Sequence, residues 1–155
     1  MNTVTIRAAS LHDTEIIYQF ITGLTGQHFD KARFARYFEL CLAAPYHHYL
    51  VAVAGDAITG YISCHGQLIL HHCGLVYEIQ ELYVNEAYRS QGTGRQLLQA
   101  LEATIGSTEY ELLEVCSNKR RADAHRFYID NGFEQTSYKF KKHQETGVDT
   151  ARYTG

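Results

Sequence analysis

Apolar side chains recur along this chain with two periods, one that predicts helices and one that predicts strands. Helical spacing follows Ser10-x-x-Asp13, which is typical of a capping box, and it also follows Asp30, which is placed to cap a second helix. Gly55-Asp56 lies between two strand-like runs and indicates a β-hairpin. The other predicted elements are strands at Val4–Ala8, Tyr49–Ala54, Ala57–His65, Val76–Val84, Glu111–Cys116 and Phe133–Lys142, and helices at Gly94–Ile105 and Ala122–Asn131. This order predicts an α/β fold in which a mixed sheet carries helices on both faces.

A short loop with two glycines joins the strand at Val76–Val84 to the helix that follows it. The loop runs from Arg89 to Gly94 and has the pattern Arg/Gln-x-x-Gly-x-Gly/Ala. Such a loop turns backbone N–H groups toward one point before a helix, where unpaired donors and the helix dipole attract phosphate. No Gly-Lys-Ser/Thr follows, and Leu97 stands where a dinucleotide fingerprint has its third small residue. The loop therefore predicts a phosphate-bearing ligand other than those of Walker or dinucleotide sites.

Several segments around this loop carry a family resemblance. They are Leu82 to Val84, Arg89 to Gly94, Glu114 to Asn118, Ala124 to Tyr128 and Gly132 to Glu134. In order and spacing they resemble the acetyl-CoA-binding half of the GNAT N-acetyltransferase superfamily. The resemblance implies a GNAT fold of the α+β kind, with a mixed, mostly antiparallel central sheet. It also implies that the fourth and fifth strands splay apart.

Four segments resemble one group within the superfamily, the bacterial aminoalkylphosphonate N-acetyltransferases. They are Leu70 to His72, Glu78 to Leu82, Ala124 to Tyr128 and Glu134 to Thr136. The resemblance implies transfer of an acetyl group from acetyl-CoA to the primary amine of a small molecule, with an aminoalkylphosphonate as the favoured acceptor. It also leaves a divalent metal ion open as a cofactor, because such an ion can help to hold a phosphonate.

The resemblance further implies where acetyl-CoA is held. Its diphosphate is expected on the N–H groups from Gln91 to Arg95, with Arg89 beside it. Its pantetheine arm is expected to pair with the backbone from Leu82 to Val84, where a β-bulge opens the sheet. Asn118 is expected to hold the arm or to orient Tyr128. The expected cofactor-binding residues are Leu82, Tyr83, Val84, Arg89, Ser90, Gln91, Gly92, Thr93, Gly94, Arg95, Asn118 and Tyr128.

Amine acetylation needs one group that takes a proton from the amine and one that assists the leaving thiolate. Glu78 is the expected general base, acting directly or through a water, because many family members carry a glutamate at this place. Alternation along the strand puts Glu78 on one face with Val84 and puts Glu81 on the other face, unless a bulge intervenes. Tyr128 is the expected donor to the thioester sulfur, because the family has a tyrosine at this place in the last helix.

Composition narrows the class of protein. The chain has 155 residues, of which 45% are hydrophobic, and this suits one domain with a sizeable core. We expect the domain over residues 1–142 and a tail over 143–155 that is flexible or lies at the interface of a homodimer. The net charge of −3, without a basic block, disfavours nucleic-acid binding. No stretch resembles a signal segment or a membrane span, so a cytoplasmic location is expected.

Histidine and cysteine are frequent, but their spacing predicts no metal site. The nine histidines include the pairs His47-His48 and His71-His72, and adjacent residues of a strand point to opposite faces. The four cysteines show no Cys-x-x-Cys spacing and are interpreted as buried, reduced thiols. The side chains available to bind a phosphonate are Lys31, Arg33, Arg36 and His48.

Two other functions are compatible with the same residues. Acetylation of a protein N-terminus or lysine predicts an open, acidic groove beside Glu78 in place of a closed pocket. A non-catalytic CoA-binding sensor predicts CoA binding that survives replacement of Glu78 and Tyr128. The presence of both residues argues against the sensor.

Overall fold

A computed structural model describes residues 3–145, which form a five-stranded sheet with helices packed on both faces. The strands are β1 (Val4–Ala8), β2 (His47–Ala54), β3 (Ala57–Ile69), β4 (Gly74–Val84) and β5 (Leu112–Val115). The helices are α1 (Thr14–Thr25), α2 (Lys31–Ala43), α3 (Thr93–Ile105) and α4 (Ala122–Asp130). In this part of the chain, no helix has the length and apolar character needed to cross a membrane. Most of the expected tail, residues 146–155, lies outside the described residues.

The sheet is mixed and mostly antiparallel, as predicted. Its strand order is β1-β2-β3-β4-β5, with antiparallel pairs up to β4 and a parallel pair between β4 and β5. The parallel pair joins Val76–Ile79 to Leu112–Val115 and then ends. From Gln80 to Val84, the side of β4 that faces β5 therefore has no strand partner among residues 3–145. This is the splay that the family resemblance implies.

A bulge in β4 changes which side chains share a face. Glu81 pairs with Ser63, and Glu78 pairs with His65. Their partners lie two residues apart on β3 and so point to one face, whereas the glutamates lie three apart on β4 because Gln80 is an extra residue. Glu78 and Glu81 therefore share a face. The β-bulge that the family resemblance implies is present, and it is the exception to the expectation of opposite faces.

Two apolar cores lie on the two faces of the sheet. Helices α1 and α2 pack on one face through Ile17, Phe20, Ile21, Phe38, Tyr49, Val51 and Tyr61. Helix α3 covers the other face through Leu50, Ala52, Ile62, Cys64, Leu75, Tyr77, Ile79, Leu97, Leu98, Leu101 and Ile105. The buried positions follow helical spacing in the helices and alternation in the strands, which is why the pattern predicts these elements well.

Both predicted helix caps are present. The side chain of Asp30 accepts the N–H of Arg33 at 2.7 Å. Asp13 accepts the N–H of Ser10 at 2.8 Å, although this capping box encloses a 3₁₀ turn that precedes α1. Asp13 also forms a bidentate ion pair with Arg7 of β1, at 2.8 and 2.9 Å. This pair fixes the start of α1 against the end of β1.

The last predicted strand, Phe133–Lys142, is wrong. The structure gives these residues no strand, and the side chains of Tyr138 and Phe140 are 87% and 93% exposed. Apolar alternation is a local property, whereas a strand also needs hydrogen bonds from a neighbouring strand. Within the described part of the chain, the short β5 ends the sheet and pairs only with β4.

Candidate active site

A cleft of about 940 Å³ opens beside the unpaired part of β4. Its walls are the end of β4, the loop before α3, the first turn of α3 and helix α4, with the end of α1 at its mouth. The cleft lies along the part of β4 that follows the end of the β4–β5 ladder. The predicted residues that line the cleft are Leu82, Tyr83, Val84, Arg89, Ser90, Gly92, Thr93, Gly94, Arg95 and Tyr128.

The loop before α3 shapes one end of the cleft. Ser90 and Gly92 have positive φ angles of 60° and 84°, and Gly92 is the N-cap residue of α3. Glycine adopts this left-handed conformation at little cost. The first N–H groups of α3 have no acceptor within the helix, and the residues that carry them line the cleft. This end of the cleft is therefore suited to an anion.

The cleft carries four arginines, namely Arg89, Arg95, Arg120 and Arg121. Nε of Arg89 donates to the carbonyl of Val84 at 2.8 Å, and its guanidinium lies 5.3 Å from the ring centroid of Tyr83. Arg120 and Arg121 lie between β5 and α4 and are not among the predicted site residues. In the sequence, the run Lys119-Arg120-Arg121 before α4 is the feature that could have indicated them. Only the fold shows that Arg120 and Arg121 line the same cleft as the start of α3.

Tyr128 of α4 lines the cleft beside the unpaired strand. Its ring packs against Phe127 and Phe133, with centroids 5.3 and 5.4 Å away. Burial raises the pKa of the Tyr128 hydroxyl, although Arg121 acts in the opposite direction. The hydroxyl is therefore protonated at neutral pH and can donate a hydrogen bond. Among residues 3–145 it has no hydrogen-bond partner, so this donor is available to a ligand.

Glu78 lies on the other face of β4 from the α3 core. Val84 packs against that core, whereas Glu78 pairs with His65, whose ring contacts Tyr49 of the α1 and α2 core. The predicted common face for Glu78 and Val84 is therefore wrong, and the bulge at Gln80 is the physical reason. Glu78 is half-buried and does not line the cleft described above.

Glu81 is a second carboxyl group on the same face as Glu78. The Ser63 hydroxyl donates to Oε2 of Glu81, and the N–H of Glu81 donates to the same hydroxyl oxygen at 3.1 Å. Burial raises the pKa of Glu81, and the hydrogen bond from Ser63 opposes that shift. A raised pKa brings a carboxylate closer to the range that suits a general base, so Glu81 is a candidate that strand alternation alone does not reveal.

Two predicted cofactor-binding residues, Gln91 and Asn118, do not line the cleft. Nε2 of Gln91 donates to the carbonyl of Ala87 at 3.2 Å. Oδ1 of Asn118 accepts the N–H of Arg120 at 3.0 Å, and its carbonyl lies 2.8 Å from Nε2 of His125. Both side chains shape turns at the edge of the cleft, and their roles toward a cofactor stay predictions.

Three of the four basic residues predicted to hold a phosphonate lie on α2, where the guanidiniums of Arg33 and Arg36 approach the ring of Tyr37. Nζ of Lys31 pairs with Glu15 at 3.0 Å, and both side chains are exposed. Nε of Arg33 donates to the Tyr37 hydroxyl at 3.3 Å, and Arg36 lies over the same ring. Within the described residues none of these cations lines the cleft. Their role toward a phosphonate, like that of His48, stays a prediction.

Comparison with known proteins places this fold and cleft in a family. The profile of the acetyltransferase (GNAT) domain matches residues 45–135. The aminoalkylphosphonate N-acetyltransferase of Salmonella typhimurium is 37% identical over 137 residues, which cover 88% of this chain and 89% of that protein. The N-alpha-acetyltransferase RimI of Mycobacterium tuberculosis is 32% identical over 111 residues, covering 70% of this chain and 65% of that protein.

A solved structure shows the same fold at low sequence identity. It is the aminoglycoside N-acetyltransferase AAC(6')-Iy in complex with CoA, which superposes with a TM-score of 0.83. The two sequences are 15% identical, and the superposition covers 94% of this chain and 97% of that chain. The likeness therefore lies in the arrangement of the sheet and helices.

Proposed function

The chain belongs to the GNAT acetyltransferase family and is an N-acetyltransferase, and from this premise we propose that acetyl-CoA is its donor and a small primary amine, an aminoalkylphosphonate, its acceptor. The observation that carries the proposal is the cleft beside the splayed end of β4. Extended backbone, helix N–H donors, four arginines and the Tyr128 hydroxyl line one continuous space there.

Acetyl-CoA matches this cleft in charge and in shape. Its diphosphate lies on the N–H groups from Gln91 to Arg95, and Arg120 and Arg121 add positive charge across the cleft. Its pantetheine arm pairs with the free backbone from Leu82 to Val84, as an added strand would. The thioester then lies near Tyr128, which lines the cleft beside these strand residues.

The chemistry needs a neutral amine, and Glu78 takes the proton from its ammonium form, directly or through a water. The amine nitrogen attacks the thioester carbonyl and forms the C–N bond, while a backbone N–H of β4 stabilises the oxyanion. Collapse of the tetrahedral intermediate breaks the C–S bond, the attacking nitrogen gives up its second proton to the departing thiolate through solvent or the Tyr128 hydroxyl, and the products are the amide and the CoA thiol. The Tyr128 hydroxyl hydrogen-bonds the sulfur as it leaves. Glu81 is the second candidate for the base, because burial raises its pKa.

A small acceptor is supported by the relative from Salmonella typhimurium, whose match extends over nearly the whole of both chains. A protein amine is the second candidate acceptor, because RimI is also a relative. The match to RimI covers less of either chain, so we favour the small amine.

Steady-state release of the CoA thiol from acetyl-CoA tests the proposal. The amine panel contains aminomethylphosphonate, aminoethylphosphonate, polyamines, amino acids and lysine peptides, each with and without an added divalent metal ion. We expect turnover with the aminophosphonates and weak turnover with the peptides. Turnover with peptides alone would indicate that the acceptor is a protein amine and not a small molecule. Tight CoA binding without turnover of any amine would favour the sensor function.

A further inference from the structure

Three metal-ligating side chains meet outside the cleft, where the end of α2 lies over β2 and β3. One ligand atom from each of Cys41, His47 and His65 lies within 4.8 Å of the other two. Cys41 belongs to the last turn of α2, and His47 and His65 are directly paired across the two strands. Cross-strand pairing puts both imidazoles on one face of the sheet, the face that α2 covers.

The two imidazole rings are in contact, and one of their nitrogen atoms lacks a hydrogen-bond partner. Their rings stack with centroids 3.7 Å apart and an interplanar angle of 4°. Nδ1 of His47 is buried and has no hydrogen-bond partner in the described part of the chain. An unsatisfied buried polar atom is destabilising, so its retention calls for an explanation such as a bound ion.

One ring must turn before both can bind the same ion, because parallel rings aim their lone pairs in parallel planes. His47 can turn without breaking a hydrogen bond at Nδ1. His65 is held by the Tyr49 hydroxyl, which lies 2.5 Å from its Nε2. His65 is thus the fixed ring of the pair, and His47 is the ring that turns.

We propose that Cys41, His47 and His65 form a site for one divalent transition-metal ion of the zinc class. A thiolate and two imidazoles suit Zn²⁺, and three protein ligands leave a fourth position for water or another oxygen donor. Mg²⁺ and Ca²⁺ are disfavoured, because both prefer oxygen ligands. All three side chains are half-buried, so the ion can enter from solvent and is then shielded.

Binding requires no oxidant or reductant. The Cys41 thiol loses its proton to solvent, the ion exchanges bound water for one sulfur and two nitrogen ligands, and the oxidation state of the metal is unchanged. Tyr49 remains as an outer partner, because its hydroxyl lies 2.5 Å from Nε2 of His65. A hydrogen bond from a residue outside the ligand set holds the ligand ring in place.

Titration of the chelator-treated full-length protein with Co²⁺ tests this site without any activity measurement. We expect one equivalent of Co²⁺ to produce a thiolate charge-transfer band in the near ultraviolet and tetrahedral d–d bands in the visible. One equivalent of Zn²⁺ should displace it. Cys41→Ser should abolish the charge-transfer band, and His65→Gln should weaken Co²⁺ binding at least about tenfold.

Two matched variants separate this site from adventitious binding. His48→Gln changes the neighbour of His47 that points to the opposite face of β2, and Cys73→Ser changes an exposed cysteine. Both should bind Co²⁺ as the unchanged protein does, and circular dichroism should show that all four variants are folded. If Cys41→Ser does not fold, His65→Gln decides the test. Absence of a stoichiometric band in the unchanged protein, or a band that Cys73→Ser removes, would overturn the proposal.

Discussion

The two faces of the sheet differ in how their functional groups are assembled. On the α3 and α4 face, the loop residues that line the cleft come from one short stretch, Arg89 to Arg95 without Gln91, which lies a few residues after the strand that the cofactor arm would pair with. On the α1 and α2 face, groups such as Cys41, His65 and Glu81 come from one helix and two strands and meet only through packing and strand register. A site made of the backbone groups of one loop can be recognised from the sequence of that loop. A cluster of side chains from different strands depends on how the strands pair, which the sequence does not display.

The largest effect that would sharpen this comparison is expected at Glu78. Glu78→Gln should lower kcat/KM by about 10²–10⁴-fold, because it removes the proposed general base. The dissociation constant for acetyl-CoA should stay unchanged, since Glu78 lies off the donor cleft. Steady-state kinetics and calorimetric titration with acetyl-CoA measure the two quantities.

Glu81→Gln is the matched control for that variant, since Glu81 lies on the same face of the same strand. It should retain most of the activity. If Glu81→Gln is instead the inactive variant, the base is Glu81. The activity of the unchanged protein should then fall on acidification at a pH above the ordinary glutamate range, because burial raises the pKa of this residue.

The next largest effect is expected on the cleft side, at Tyr128. Tyr128→Phe should lower kcat about 10- to 100-fold, which corresponds to loss of a charge-assisted hydrogen bond worth about 1.5–3 kcal/mol. The affinity for acetyl-CoA should change little. Tyr138→Phe, at a tyrosine that is 87% exposed, is the control and should be fully active. Unchanged kcat in Tyr128→Phe would remove this residue from the chemistry.

A smaller effect is expected at the loop glycine. Gly92→Ala places a side chain on a residue with φ of 84°, and we expect about tenfold weaker acetyl-CoA binding as the N–H groups shift. A Cβ at this position meets nothing within 4 Å, so the effect acts through the backbone. Gly55→Ala is the control, because Gly55 has φ of 60° in the β2–β3 turn. Both alanine variants should lose about 1–2 kcal/mol of unfolding free energy, but Gly55→Ala should keep its acetyl-CoA affinity. Equal acetyl-CoA affinities in the two variants would argue against a phosphate site in the loop.

The smallest expected effect is on the free energy of unfolding. Its dependence on pH has opposite signs for two carboxyl groups, Asp13 and Glu81. The hydrogen bond from Arg7 lowers the pKa of Asp13, so this bridge stabilises the fold above the ordinary aspartate range and is lost as pH falls through the lowered pKa. Burial raises the pKa of Glu81, so stability falls as pH rises from the ordinary glutamate range to the raised pKa. At neutral pH, Asp13→Asn should therefore destabilise by about 1–2 kcal/mol, and Glu81→Gln should not destabilise. Urea unfolding at several pH values checks both signs, and a loss of stability in Glu81→Gln would contradict this account.

Much of the α3 and α4 face follows from the sequence. The period of the apolar residues predicts the bounds of α3 and α4 to within a residue or two. The loop from Arg89 to Gly94 lies before α3, as its pattern predicts. The splay of β4 from β5 is also confirmed. These features are local, or they follow from the family resemblance, so one sequence is enough to predict them.

Other features depend on information that the sequence does not display. The family resemblance implies a bulge in β4 but not its position. At Gln80 the bulge reverses the predicted face of Glu78 relative to Val84, and no glycine or proline marks the extra residue. The strand predicted at Phe133–Lys142 has suitable alternation but no neighbour among the described residues. The sequence pattern predicts buried cysteines, but only Cys64 is buried, Cys41 is half-buried, and Cys73 and Cys116 are exposed.

A crystal structure of the full chain with bound CoA tests the central claim most directly. We predict the diphosphate on the N–H groups from Gln91 to Arg95, the pantetheine arm hydrogen-bonded to the backbone from Leu82 to Val84, and the sulfur next to the Tyr128 hydroxyl. CoA bound elsewhere, or an arm that leaves this backbone unpaired, would contradict the assignment of the splayed β4 cleft to the acetyl donor.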